Sequence, residues 1–136
     1  MITHATGTFE LKTWDEKPYQ EIGGGAKLTR ASVTQSFHGD IEGEGAVEYL
    51  MMYPDESSAR FVGLQRVVGR IGGREGSFVL QLGGRFEDGT VKATWSVVPG
   101  SGTGDLRGLR GEGNFTAPLG QTASVTLDYE IEGESA

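Results

Sequence analysis

Cysteine is absent from the 136 residues. Its absence removes disulfides, thiolate metal centres, iron–sulfur clusters and a cysteine nucleophile. Histidine occurs twice, at His4 and His38. With no Gly-x-Ser-x-Gly turn either, a serine-hydrolase triad has little to be built from. Basic side chains are the minority, 12 against 19 acidic ones, for a formal charge of −7. Such a chain repels a polyanion, so no nucleic-acid partner is expected. No apolar stretch approaches the ~20 residues of a membrane-spanning helix. The N-terminus, MITHATGTFELK, has neither the basic start nor the apolar run of an export signal. The expectation is a cytoplasmic chain with no membrane partner.

Glycine is what the chain has in excess: 23 residues, more than twice the roughly 7% of ordinary proteins. These glycines punctuate segments of alternating polarity, the pattern of a sheet with many bends. In SVTLDYEIE, Val125, Leu127, Tyr129 and Ile131 share one face, and Thr126, Asp128, Glu130 and Glu132 the other. TVKATWSVV separates Val91, Ala93, Trp95 and Val97 from Lys92, Thr94 and Ser96 in the same way. SFVLQLGGRF, RFVGLQRVVGRI and GAVEYLMMY are strands with less clear faces, and THATGTFELKTW and KLTRASVTQSFHGDI add two more. DEKPYQEIGGGA, between those two, has the composition of a long mobile loop. Seven or eight strands with hairpin-sized connections predict an all-β meander over residues 1–136, one domain, closed into a barrel or folded as a sandwich. Closure is favoured because it removes strand edges.

VVPGSGTGDLRGLRGEG carries six glycines, at positions 100, 102, 104, 108, 111 and 113. It does not fit a phosphate-binding loop. The third glycine of a dinucleotide fingerprint is replaced by Asp105 or Arg107, and no lysine follows Lys92. The stretch predicts a bend, with Asp105 capping one helical turn through Leu109, and Leu106 and Leu109 stoppering one end of the barrel.

The same stretch, with FVGLQRVVGRIGGREGSFVLQLGG before it and TGTFELKTW at the start, resembles an uncharacterised bacterial domain-of-unknown-function family of allene oxide cyclase-like barrels. The resemblance covers nearly the whole chain. It implies an eight-stranded antiparallel β-barrel, commonly a homo-oligomer, whose lumen in some relatives takes apolar small molecules and steers cyclisation by shape, without cofactors or metals. It also sets this chain apart at two positions. Gln65 and Leu82 stand where the family pattern has Glu and His, so this chain lacks both ionisable groups that an acid–base pair there would need.

Function is therefore expected in a lumen. The walls should include Tyr49, Met51, Gln65, Leu82, Trp95 and Tyr129, with Trp14 at the rim. Glu10 is the candidate catalytic carboxylate, because burial would raise its pKa and fit it for proton transfer. HGDIEGE sets His38, Asp40, Glu42 and Glu44 at alternate positions, a composition that could hold a metal in a strand but that its glycines mark as a turn. Three readings follow: a barrel binding a small apolar or amphipathic molecule, a cofactor-independent cyclase or isomerase, and a filled barrel whose outer face makes an oligomer. The first is favoured.

Overall fold

Period-two alternation decides which way each strand faces, and every strand here has one apolar side to hide. In the computed structural model, which describes residues 2–118 and 122–132, eight strands follow one another. They are β1 (Thr3–Gly23), β2 (Ala26–Gly39), β3 (Ile41–Tyr53), β4 (Ala59–Ile71), β5 (Arg74–Glu87), β6 (Thr90–Val97), β7 (Leu109–Pro118) and β8 (Ala123–Ile131). Each pairs antiparallel with the next, and β8 pairs with β1, so the sheet closes into a barrel. The predicted faces of β6 and β8 point as expected, with Ala93, Trp95, Val97, Val125 and Leu127 buried. In β4, which is apolar on both sides, Phe61, Gln65, Val67 and Ile71 face inward, leaving Val62, Leu64 and Val68 exposed.

Two-residue turns at Gly24-Gly25, Gly72-Gly73 and Asp88-Gly89 join paired neighbours, the tightest antiparallel connection. The in-strand Gly69 marks a close crossing: a Cβ there would overlap the Glu42 carbonyl of β3.

The segment from Val98 to Gly108 closes the lower end of the barrel. β6 stops at Val97, and the loop takes over its pairing with β5. The Val98 N–H donates to the Val79 carbonyl and the Thr103 N–H to the Ser77 carbonyl, both at 2.9 Å, while Ser101 Oγ accepts from the Val79 N–H at 3.0 Å. Leu106 and Leu109 are wholly buried, as a stopper should be. The turn is shorter than expected, a 3-10 turn over Gly104–Leu106 that Asp105 does not cap. β7 already begins at Leu109. Gly102 is required here, since a Cβ would run into the Leu106 carbonyl.

The expected loop from Asp15 to Ala26 is instead a β-ribbon. β1 pairs with β8 only from Thr3 to Phe9, then continues to Gly23 paired with β2 alone. Proline is tolerated at position 18 because that stretch of β1 is an edge strand and needs no second partner for its missing N–H.

Candidate functional site

The ribbon bends because of one extra residue. Leu11 pairs with Gln35 and Thr13 with Thr34, leaving Lys12 as a bulge. A bulge changes which side of the strand faces the core. Below it the odd positions Phe9 and Leu11 oppose the inward Phe37 and Gln35. Above it the even positions Trp14, Glu16 and Pro18 oppose Val33, Ala31 and Thr29, which are buried. Trp14 and Glu16 are thereby carried over the upper mouth of the barrel.

Under the ribbon lies a cavity of about 320 Å³. Its walls are mostly aromatic, with Phe9, Trp14, Tyr49, Tyr53, Phe61 and Phe115 contributing, and Gln35 is the one amide among them. Tyr49 meets the Phe61 ring edge-on, centroids 5.0 Å apart, and the Trp14 ring stands 6.2 Å from Tyr49. Below this level the core is filled by buried aromatic and aliphatic side chains, Phe37, Phe78, Leu80 and Leu127 among them. Trp95 sits between Phe37 and Phe115 and donates Nε1–H to the Thr126 carbonyl at 2.9 Å.

Two polar clusters lie at the cavity, one built on the wall residue Gln35 and one on Glu16, which hydrogen-bonds the wall residues Trp14 and Tyr53 from beside them. On the floor, Gln65 Nε2 donates to Gln35 Oε1 at 2.5 Å, and both side chains are buried. The Gln65 Oε1 finds no partner among the described residues. Burial pushes the Tyr49 hydroxyl far above the ordinary phenol range, and a hydrogen bond from Gln35 only partly opposes this. Tyr49 is therefore a neutral hydroxyl at any physiological pH, able to donate to an oxygen inside the cavity.

At the rim, Glu16 is half-buried and accepts three hydrogen bonds. They come from Trp14 Nε1 at 3.0 Å on Oε1, and from Thr29 Oγ1 at 2.7 Å and the Tyr53 hydroxyl at 2.6 Å on Oε2. Burial and the adjoining carboxylate hold the Tyr53 proton in place.

Of the residues expected to form the site, Trp14, Tyr49 and Met51 meet on the cavity. Gln65, Leu82 and Trp95 face inward, but do not line its walls. Tyr129 is at the opposite end, its hydroxyl beside Gly72. Glu10 is a correction. It precedes the bulge on an even position, so it points outward, 62% exposed and 3.4 Å from His38, with none of the burial that proton transfer was expected to draw on. Glu16 is the carboxylate that turns in. The only sequence signal for it was the break of alternation across Lys12.

The His38 to Glu44 run is not the turn its glycines suggest but the end of β2 and the start of β3, joined at Asp40, and its side chains part company. Asp40 accepts from the Thr6 N–H, Glu42 pairs with Arg70, and Glu44 pairs with Lys12. Among the described residues no three His, Asp or Glu side chains converge as a metal site would require. Nor is any helix of the described residues long and apolar enough to cross a membrane.

The profile of a family described as protein of unknown function, DUF3224, matches residues 5–129. The chain belongs to the DUF3224 family. A crystal structure of a DUF3224 protein of unknown function from Shewanella oneidensis MR-1 is similar to it at 31% identity, over 97% of this chain and 99% of that one, with a TM-score of 0.82. No curated protein matches the chain. The matched residues run from the first buried position of β1 to the last aromatic of β8, so the family is defined by the barrel itself.

Proposed function

We propose that this DUF3224 barrel binds one small, largely apolar molecule in the cavity beneath the β1–β2 ribbon. The observation that carries this reading is the space left in the lumen between Trp14, Tyr49 and Phe61, above the level where Trp95 meets Phe37 and Phe115. A void lined by large apolar side chains forfeits their contacts unless something fills it, and a volume of about 320 Å³ falls at the small end of ordinary ligand sites. The neutral Tyr49 hydroxyl supplies one directional contact to a ligand oxygen. The test is titration with a neutral, environment-sensitive naphthylamine dye. One equivalent should bind with a blue shift, and Ala59→Phe, which fills the cavity from β4, should abolish it. A dye signal unchanged in that variant would place any binding elsewhere.

A second reading rests on the outer wall. Leu50, Val62, Leu64 and Val68 are about half exposed side by side on β3 and β4. The outer face of β3 carries Glu42, Glu44 and Glu48, that of β4 Arg60, Arg66 and Arg70. A two-fold axis along the seam between these strands would set each acidic row on a basic one and bury the apolar residues between them. We propose this face for self-association. Light scattering should find a dimer that Leu64→Lys converts to monomer, and a wild-type monomer at working concentration would refute it.

A further inference from the structure

The rim of the cavity also selects the charge of what enters. We infer that the ligand is an apolar molecule carrying a basic amine, its body among the aromatic side chains and its ammonium hydrogen-bonded to Glu16 Oε1. This deepens the binding reading above and rests on it.

Glu16 is a carboxylate whose acceptor capacity is only partly used. Its Oε2 receives Thr29 and Tyr53, whereas Oε1 receives Trp14 alone. A carboxylate offers about four lone-pair sites, so one stays open on Oε1. All three of its donors are neutral, and its charge is not balanced by any Lys or Arg pairing among the described residues. An anionic head group, such as that of a fatty acid, would meet a half-buried like charge. A cation would instead gain a charge-assisted hydrogen bond at little cost in reorganisation.

Two further features agree. A second groove, of about 660 Å³, runs along the ribbon from the same Glu16 and Tyr53 and is lined by Glu21, Asp55 and Glu56 against a single cation, Lys27. A positive ligand is thus drawn towards the mouth. The Lys27 ammonium already sits 5.1 Å from the centre of the Tyr53 ring, so the rim accommodates a cation against an aromatic face.

The test uses three compounds with one apolar body: naphthylmethylamine, naphthylmethanol and naphthoate. Calorimetry on the full chain should rank the amine roughly tenfold above the alcohol and the carboxylate weakest, a ratio corresponding to about 1.4 kcal/mol. Glu16→Gln should bring the amine down to the alcohol and leave the alcohol unchanged. Added salt should weaken the amine alone, a readout independent of how well the variant folds. Equal binding of amine and alcohol to the wild type, or an amine preference that survives Glu16→Gln, would overturn the charge assignment while leaving the cavity reading intact. Failure of all three compounds to bind would overturn both.

Discussion

The Tyr53 hydroxyl donates to Glu16 Oε2 at 2.6 Å, joining the third strand of the barrel to a ribbon whose outer stretch pairs with β2 alone. Nothing in the order of the strands requires this contact, and it holds the ribbon over the cavity mouth. Tyr53→Phe should therefore cost about 1–3 kcal/mol, the usual loss for a hydrogen bond to a charged group. The loss should be local. Hydrogen exchange should quicken in β1 between Thr13 and Ile22 and stay slow in β4 and β8. Uniformly faster exchange would mean that the contact supports the whole barrel and not the ribbon.

The bulge at Lys12 sets the facing of everything beyond it. Deleting Lys12 should remove the bulge without moving the register, because Leu11–Gln35 and Thr13–Thr34 then become successive pairs and Trp14 and Glu16 still face inward. Pairing of Thr3 to Phe9 with β8 lies before the change, so the barrel body should survive with the buried Trp95 fluorescence intact. The deletion should keep dye affinity, whereas Trp14→Ala should lower it by at least about tenfold, as expected for losing the contact area of one large aromatic wall residue. Unchanged affinity in Trp14→Ala would show that Trp14 is not part of the site.

The two halves of the lumen should answer opposite substitutions in opposite ways. Leu80→Ala in the packed half should cost about 2–5 kcal/mol, the range for emptying a core position. Ala59→Phe should leave Tm unchanged or raised, because the added ring enters existing space. Chemical denaturation of both variants checks the pair. A strongly destabilised Ala59→Phe would mean that the cavity is smaller than it is drawn here.

Much of this architecture can be read from the residues. Alternation in β6 and β8 is clean because one face of each is polar, so Trp95 and Leu127 could be turned inward from sequence alone. In β4 the rule fails: Val62, Leu64 and Val68 sit on the outer face, and apolarity no longer distinguishes inside from outside. The site was half legible. Tyr49 and Met51 lie on a regular strand, and Trp14 is large enough to suggest a rim. Glu16 was hidden, because a bulge is a backbone event that leaves almost no trace in composition, whereas the outward facing of Glu10 follows from regular alternation between Phe9 and Leu11, before the bulge. The ribbon was mistaken for a loop because Pro18 and three consecutive glycines are loop-like, although an edge strand and its turn can use both.

Stability should also decline in alkali. Tyr49 and Tyr53 both have hydroxyls pushed upward in the folded chain, mainly by burial. Their contribution is fully present below the unfolded phenol value of about 10 and is lost as pH rises from there towards the folded values. Denaturant midpoints should hold steady from neutral pH to about 9 and fall beyond it, with a smaller fall in a Tyr49→Phe, Tyr53→Phe double variant. Absorbance titration should show these two phenols ionising together with unfolding. Their free ionisation in the native chain would contradict the burial described here.

On the proposed reading, the space beneath the ribbon is occupied in use. Native mass spectrometry of gently purified protein, with solvent extraction of whatever travels with it, tests this most directly. One small molecule per chain is expected, released on unfolding and absent from Ala59→Phe. A bare chain mass for the wild type that stays unshifted on mixing with both the neutral dye and naphthylmethylamine would contradict it.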